Sequence, residues 1–291
     1  MPAADPSWPG PWWLRPLERR VARHRDGGTV RWLTRCTEAT LEVLHAADHD
    51  PVHNGELGVL ELIAGNDLVV FDVGANVGEW ARLAHTACPR ATIHAFEIAG
   101  PTRELLRRAT ADLPRVRVVE VGLSDTFGSV DVKHYPTHHR VTSLVDYPHP
   151  IPAEWRIERV VTGDGYLRSA GIERIDYLKV DVEGAELAVL RGFQHALREG
   201  RIGAVQFEHG RASIVARTFL GDFYELLEPL GYTIGRVRAT GIERQRYRVA
   251  DESFVTANYI ALRETRWASL RRGPRRSQQL TDRLTGPGCG R

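Results

Sequence analysis

The sequence has few cysteines, few lysines and no long apolar run, and each shortage excludes a class of protein. Its three cysteines, Cys36, Cys88 and Cys289, are far apart and odd in number, which argues against a disulfide framework and matches no metal or redox spacing. No run approaches the ~18 apolar residues of a membrane helix, and the N-terminus lacks the apolar segment of a signal peptide. These absences predict a soluble, cytoplasmic protein without a membrane partner.

The basic residues are almost all arginines, because only two of the 39 Lys and Arg residues are lysines. They concentrate at the ends of the chain. Residues 15–35 contain seven arginines against Glu18 and Asp26, and residues 267–291 contain six against Asp282. Since the formal net charge is only +2, the body of the chain is acidic. The basic ends are compatible with nucleic acid or anionic lipid, but solvated arginines are the favoured interpretation and no nucleic acid is expected.

Length and hydropathy indicate one large domain with additions. A chain of 291 residues with 42% hydrophobic content can bury a full core. Residues 1–66 are predicted to be an irregular segment, residues 1–16, followed by one or two helices between about Leu17 and Ala47, which form a lid or packing layer. Residues 67–263 alternate strands with helices and form the main domain. Residues 264–291 are basic, have little to bury and are predicted to be disordered.

The alternation in the main domain predicts an α/β fold with a doubly wound, mostly parallel sheet. The expected parallel strands are LVVFDVG, ATIHAFEI, RVRVVEVGLS, RIDYLKVDVEG and IGAVQFEHG. GSVDVKHY is expected as an antiparallel addition, and YTIGRVR and NYIALR as a closing pair. Ligands of such sheets bind at the carboxyl ends of the strands. Polar side chains fall at those ends, namely Asp72, Glu97, Ser124, Asp181 and Glu208.

The first turn of this sheet, in VVFDVGANVGEW, narrows the choice of ligand. Asn76 and Glu79 replace the second and third glycines of a dinucleotide fingerprint, and the G-K-[ST] of a phosphate loop is absent. The carboxylate of Asp72 would repel a pyrophosphate but suits an ammonium group, such as that of S-adenosylmethionine. Glu97, at the next strand end, is placed to accept the ribose hydroxyls. A turn that merely joins a strand to a helix is the alternative.

These residues resemble the FkbM family of S-adenosylmethionine-dependent methyltransferases. The matching segments are VVFDVGANVGEWA, IHAFEIAGPTRELLRR, VEVGLSDTFGSVDV, IDYLKVDVEGAELAVLRGF and DFYELLEPLGY, and LKVDVEGAE is specific to the family among methyltransferases. The resemblance implies a class I, Rossmann-like fold and O-methylation of a small-molecule hydroxyl acceptor, on a natural product or a sugar. By position, it implies that the methionine end binds at Asp72, Gly74, Asn76 and Gly78, the ribose at Glu97, and the adenine near Ser124 or Asp125.

The chemistry needs a group that takes a proton from the acceptor hydroxyl, because methyl transfer is an in-line displacement at a sulfonium carbon. The candidate catalytic residues are Asp181, Glu183, Glu208 and His209, and Asp181 is also counted among the cofactor-binding residues. Asp181 and Glu183 are two apart, so an extended strand would point both to one side. Clustered acids raise the pKa of at least one member, which suits a general base.

Two further questions stay open at this point. The acids Asp181, Glu183 and Glu208 offer oxygen ligands for Mg²⁺ or Mn²⁺, but their spacing matches no dedicated metal motif, so no metal is expected. The alternatives to an O-methyltransferase are a nucleic-acid-associated protein that uses the arginine-rich ends, and a non-catalytic partner protein with a methyltransferase fold. The acceptor pocket is expected to involve the N-terminal helices, residues 133–152 and residues 210–219, and no oligomeric state is indicated.

Overall fold

The computed structural model describes residues 15–24, 26–44, 50–51, 53–63, 67–136 and 151–270. The chain divides into two compact units, residues 1–45 and 46–291. The first unit contains the helices α1 (Arg15–Arg23) and α2 (Gly28–Leu44), in agreement with the prediction of one or two helices. Trp32 on α2 is exposed. The predicted role of these helices as a lid stays a prediction.

The second unit contains two sheets and the helices that cover them. Its strands are β1 (Val69–Val73), β2 (Thr92–Phe96), β3 (Val116–Val119), β4 (Gly122–Ser124), β5 (Gly128–His134), β6 (Glu154–Thr162), β7 (Tyr177–Val180), β8 (Ala204–His209), β9 (Tyr232–Arg238), β10 (Gly241–Arg244) and β11 (Ala257–Arg263). Its helices are α3 (Glu56–Ile63), α4 (Glu79–Ala87), α5 (Gly100–Ala109), α6 (Gly163–Ala170), α7 (Glu186–Gly192), α8 (Gln194–Arg198), α9 (Arg211–Ala216), α10 (Leu220–Leu227) and α11 (Glu264–Leu270).

The main sheet has the strand order β10-β9-β11-β8-β7-β1-β2-β3. The strands β3, β2, β1, β7 and β8 are parallel, and β11 runs antiparallel to both β8 and β9. The predicted doubly wound, mostly parallel sheet and its closing pair are therefore confirmed. Both faces of this sheet are buried, with Phe71 on one face and Val70 on the other. This burial explains why β1 is an uninterrupted apolar run up to Asp72.

A smaller sheet of order β4-β6-β5 lies beside the main one. The segment RVRVVEVGLS does not form the single strand that was predicted. It is interrupted at Glu120, an exposed residue that pairs with Arg107, so that β3 ends at Val119 and β4 joins the second sheet. Ser124 therefore ends a strand of the small sheet. The predicted antiparallel addition β5 is confirmed, with β6 as its partner.

Helix α3 belongs to the sheet domain, although the sequence places the domain boundary at residue 67. Val59 and Leu60 are buried in the core beneath the sheet. The buried Glu56 carboxylate accepts hydrogen bonds from Asn54 Nδ2 at 2.6 Å, Gln206 Nε2 at 2.8 Å and Asn258 Nδ2 at 3.1 Å. A buried carboxylate with three donors anchors this helix, since a buried charge is tolerated only when it is paired.

The C-terminal part of the chain is also more ordered than predicted. Helix α11 follows β11, and its Trp267 is buried, with Nε1 donating to the carbonyl oxygen of Thr233 at 3.1 Å. The expected disorder therefore does not apply to residues 264–270, because one indole supplies a large apolar surface to bury. Residues 271–291 lie outside the described residues. None of the helices in the described ranges has the length and apolarity required to cross a bilayer.

We predict that Trp267→Ala lowers the free energy of unfolding by about 3 kcal/mol, because it removes a buried aromatic side chain and leaves a cavity. Urea unfolding monitored by circular dichroism measures the change. The matched control is Thr265→Ala, an exposed position on the same helix, which should change the stability by less than about 0.5 kcal/mol. Equal stability of the Trp267→Ala variant and the wild type would contradict the packing role of α11.

Candidate functional site

The register of the main sheet places the polar residues of its carboxyl edge on one face. Asp72 on β1 is in register with Lys179 on β7, which is in register with Gln206 on β8. Parallel partners in register project to the same side, and so do residues two apart on one strand. Asp181 and Glu208, two residues beyond Lys179 and Gln206, therefore join this face where the strands end.

The turn after β1 packs directly against the turn after β7. Gly74 has φ +85°, and a Cβ built there would lie 1.8 Å from the carbonyl oxygen of Asp181. Gly78 has φ +92°, and its Cβ would lie 2.8 Å from Leu106 Cδ1 on α5. Both glycines are thus required by conformation and by close packing within the protein. Their predicted contact with the methionine end of a cofactor stays a prediction.

Glu97 is fixed at the end of β2 by the backbone of two neighbouring segments. Its carboxylate accepts hydrogen bonds from the amide of Asn76, at 3.0 Å, and from the amide of Ala99, at 2.8 Å. Burial raises the pKa of Glu97 to about 7, although both amides favour the ionised form. The carboxylate is thus held beside the glycine turn, and its predicted contact with ribose hydroxyls stays a prediction.

Asp72 is completely buried, and its neighbour is a cation of the protein itself. The ammonium of Lys179 lies 3.8 Å from Asp72 Oδ1 and donates to Asp181 Oδ2 at 2.8 Å. Burial raises the pKa of Asp72 to about 6, although Lys179 opposes that rise. The structure therefore places Lys179 where the sequence interpretation put a ligand ammonium. The available signal was a lysine inside the apolar strand YLKVD, in a chain with only two lysines.

Three acids converge beside this ion pair. Carboxylate oxygens of Asp181, Glu183 and Glu208 all lie within 4.8 Å of one another. Burial and the neighbouring acids raise the pKa of Glu183 to about 8, and the same causes raise the pKa of Glu208 well above its ordinary value. Like charges as close as those of Glu183 and Glu208 do not both ionise near neutral pH, so this pair retains a proton. The same three oxygens could instead hold a divalent cation.

The turn that carries Glu183 is braced by Glu186, the first residue of α7. The Glu186 carboxylate is buried and accepts hydrogen bonds from the amide of Val182, at 2.9 Å, and from the amide of Gly184. Glu183 itself has φ +53°, a left-handed conformation that is strained for a residue with a side chain. Glu186 thus stabilises the backbone that points Glu183 toward Asp181.

His209 is not brought to the acids. Neighbouring residues of a strand project to opposite faces, so His209 lies on the face of β8 opposite to Glu208. Its ring packs against Phe223 and Phe254, and its Nε2 is 4.0 Å from Glu252 Oε2. Burial lowers the pKa of His209. The expectation that adjacent positions at a strand end share one pocket overlooked this alternation.

Ser124 and Asp125 lie at the end of β4, where the small sheet meets α7. Ser124 is buried, its hydroxyl donates to Asp125 Oδ1 at 3.2 Å, and it is in register with Thr162 of β6. A Cβ on Gly192 of α7 would lie 2.1 Å from the Ser124 carbonyl oxygen, so helix and strand are in direct contact. The role of both residues at an adenine ring stays a prediction.

Comparison with known proteins gives the class of this site. Residues 72–234, more than half of the chain, match the Methyltransferase FkbM domain. The chain therefore belongs to the FkbM methyltransferase family, and its mostly parallel sheet flanked by helices is an α/β architecture.

Three curated relatives are similar over this region. The hexuronic acid methyltransferase AglP of Haloferax volcanii is 30% identical over 164 residues, which are 54% of this chain and 64% of that protein. The 2-O-methyltransferase NoeI of Sinorhizobium fredii is 28% identical, over 49% of this chain and 64% of its own. The 31-O-demethyl-FK506 methyltransferase FkbM of Streptomyces tacrolimicus is 31% identical, over 44% and 60%. The chain thus spans less than two thirds of the length of each relative.

We predict that Gly74→Ala destabilises the protein more than Gly231→Ala does. Both glycines have nearly the same φ, +85° and +84°, but a Cβ at Gly231 meets nothing within 4 Å. The left-handed conformation alone should cost roughly 1–2 kcal/mol at Gly231. At Gly74 the clash with Asp181 should add about 1–3 kcal/mol. Urea unfolding compares the two variants, and equal losses would contradict the contact between the two turns.

Proposed function

We propose that this protein is an S-adenosylmethionine-dependent O-methyltransferase that acts on a hydroxyl group of a small-molecule natural product or sugar. The observation that carries the proposal is the direct contact between the Gly74 turn and Asp181, which brings a glycine turn and a cluster of three acids to one edge of an FkbM domain. The names of the relatives support the acceptor class, since they specify a hexuronic acid, a 2-O position and a 31-O position.

The cofactor would bind along the carboxyl ends of β1, β2 and β4. Glu97 would accept the two ribose hydroxyls, because its carboxylate is already oriented by the amides of Asn76 and Ala99. The adenine would lie toward Ser124 and Asp125. The methionine end would lie at the turn that contains Gly74, Asn76 and Gly78, with Asp72 and Asp181 beside it. This path follows the rule that open α/β sheets bind ligands at the carboxyl ends of their strands.

The acids would remove the acceptor proton. As the acceptor oxygen forms its bond to the methyl carbon, the carbon–sulfur bond breaks, its electron pair stays on sulfur, and S-adenosylhomocysteine leaves as a neutral thioether. The hydroxyl proton passes to Glu208 or Glu183. A base is most effective when its pKa lies near the working pH, which the raised pKa of Glu183, about 8, favours. His209 stays outside this assignment because its ring faces the other side of the sheet.

A divalent cation is the alternative way to activate the hydroxyl. Asp181, Glu183 and Glu208 supply three closely spaced carboxylates, the ligand type that Mg²⁺ and Mn²⁺ prefer. When bound, such an ion would lower the pKa of the acceptor hydroxyl. We propose the carboxylate base as the mechanism because the raised pKa of Glu183, about 8, suits a proton acceptor. The two mechanisms differ in their response to a chelator.

We predict that S-adenosylhomocysteine binds and that its affinity falls about tenfold between pH 8 and pH 6. Ribose hydroxyls need the ionised Glu97, whose pKa is about 7, so protonation competes with binding below that pH. Isothermal titration calorimetry measures the affinity. Glu97→Gln should bind more weakly and lose this pH dependence. A variant with the wild-type pH slope would contradict the role of Glu97, and a wild type that does not bind would contradict the proposed function.

We predict that Glu183→Gln lowers kcat by roughly 10²- to 10⁴-fold, the contribution of a general base, while the affinity for S-adenosylhomocysteine stays the same. Transfer of a labelled methyl group to a panel of glycosides and hydroxylated natural products measures kcat. Glu225→Gln, on the exposed side of α10, is the matched control and should be fully active.

The same assay separates the mechanisms and the remaining alternatives. Activity should survive EDTA; a loss that Mg²⁺ restores would favour the cation instead. Cofactor binding without methyl transfer to any hydroxyl in the panel would favour a non-catalytic partner protein. Retention of nucleic acid at low salt would favour a role for the arginine-rich ends.

A further inference from the structure

A buried lysine stands between the two turns of the site. Lys179 is 4% exposed, and its ammonium lies 2.8 Å from Asp181 Oδ2, 3.8 Å from Asp72 Oδ1 and 5.6 Å from the centre of the Trp80 ring. Burial lowers the pKa of this amine, but the carboxylates of Asp181, Asp72 and Glu56 together raise it above its ordinary value. Lys179 is therefore a permanent cation.

We propose, building on the proposed function, that Lys179 is a positioning residue that neutralises Asp72 within the core and presents the Asp181 carboxylate to the ammonium group of the cofactor. Asp72 then acts on the cofactor only through Lys179.

The side chains of Asp72 and Asp181 differ in their exposure to solvent. The Asp72 side chain has no accessible surface, and neither of its oxygens has a hydrogen-bond partner among the described residues, so its charge depends on Lys179. A second ammonium could approach Asp72 only by displacing Lys179. The Asp181 side chain is 34% exposed, and Lys179 engages its Oδ2. Asp181 is therefore the aspartate that a ligand can reach.

Asp181 is also the aspartate next to the glycine turn. The carbonyl oxygen of Asp181 occupies the space that a side chain at Gly74 would fill. A methionine group that rests against this turn has its ammonium beside Asp181. Lys179 repels that ammonium from the Asp72 side, so the charges favour one orientation of the amino-acid end.

The choice of lysine fits this task. All but two of the 39 Lys and Arg residues are arginines, yet the enclosed position between Asp72 and Asp181 has a lysine. An ammonium is a compact point charge on an unbranched stem, whereas a guanidinium is a wide planar fork that needs more room and more acceptors. A lysine ammonium can interact with two carboxylates and with the face of the Trp80 ring within one narrow space.

The experiment compares two ligands that differ only at the amino-acid end. S-adenosylhomocysteine carries the ammonium and carboxylate, and 5′-methylthioadenosine lacks both. Calorimetry gives the preference for the first ligand over the second in each variant, so that general damage to the protein cancels. Asp181→Asn and Lys179→Met should each reduce the preference about tenfold or more, because a charge-assisted contact is lost or misplaced. Asp72→Asn should change it less than about threefold.

Two results of this calorimetry would overturn the inference directly. A loss of preference in Asp72→Asn as large as in Asp181→Asn would overturn the inference, because Asp72 would then contact the cofactor directly. An unchanged preference in Lys179→Met would overturn it too, since Lys179 would be merely structural. If that variant does not fold, Asp72→Asn with Lys179→Met removes both charges of the buried pair and should show the same loss. A wild type that binds both ligands equally overturns this inference alone, whereas one that binds neither overturns the proposed function as well.

Discussion

The site depends on one contact, in which the backbone of the turn after β1 packs against the backbone of the turn after β7. Only glycine at position 74 permits this contact, because any side chain there would overlap the Asp181 carbonyl. The contact fixes the distance between the glycine turn and a set of acids. It also explains why Glu186 is buried: the second turn must be rigid if the first is to pack against it.

A high density of negative charge is the second constraint on this edge of the sheet. Asp72, Asp181, Glu183 and Glu208 lie in one neighbourhood, with Lys179 as their compensating cation. Deeper in the sheet, buried polar side chains are compensated by hydrogen bonds to one another. Tyr177 donates to Gln206, and Gln206 donates to Glu56. Burial of these polar groups is tolerated because most of them have a hydrogen-bond or ion-pair partner. At the edge of the sheet the acids outnumber Lys179, so further positive charge or protons would stabilise them.

The sequence was sufficient for the parts of the molecule that follow a simple period. Parallel strands buried on both faces read as continuous apolar runs, so β1, β2, β7 and β8 could be predicted together with the acids at their ends. Strand β6 could not be predicted, because it does not bury its apolar residues and expose its polar ones. Trp155 and Ile157 are exposed, whereas Glu158 faces inward and accepts a hydrogen bond from the amide of Gly100. No inside-outside pattern marks such a strand.

The remaining differences have equally local causes. His209 was grouped with Glu208 by proximity along the chain, although a strand sends adjacent side chains to opposite faces. A lysine within an apolar strand does not by itself predict a role, so the role of Lys179 becomes evident only when the carboxylates around it are known. Helices α3 and α11 were set outside the domain, since the burial of Glu56 and Trp267 depends on partners distant in sequence, Gln206 and Thr233.

The position of α3 has a consequence for how the enzyme can be dissected. The region that matches the family begins at Asp72, within β1, and ends at Ile234, within β9. A recombinant piece cut at those limits would lose β10, β11 and the Glu56 carboxylate that Gln206 needs, and would open an unpaired edge along β8. The region that matches the family is thus smaller than the set of elements that build the sheets and their core, which extends from α3 to α11. In this protein, the region that matches the family and the region that forms the folded domain have different limits.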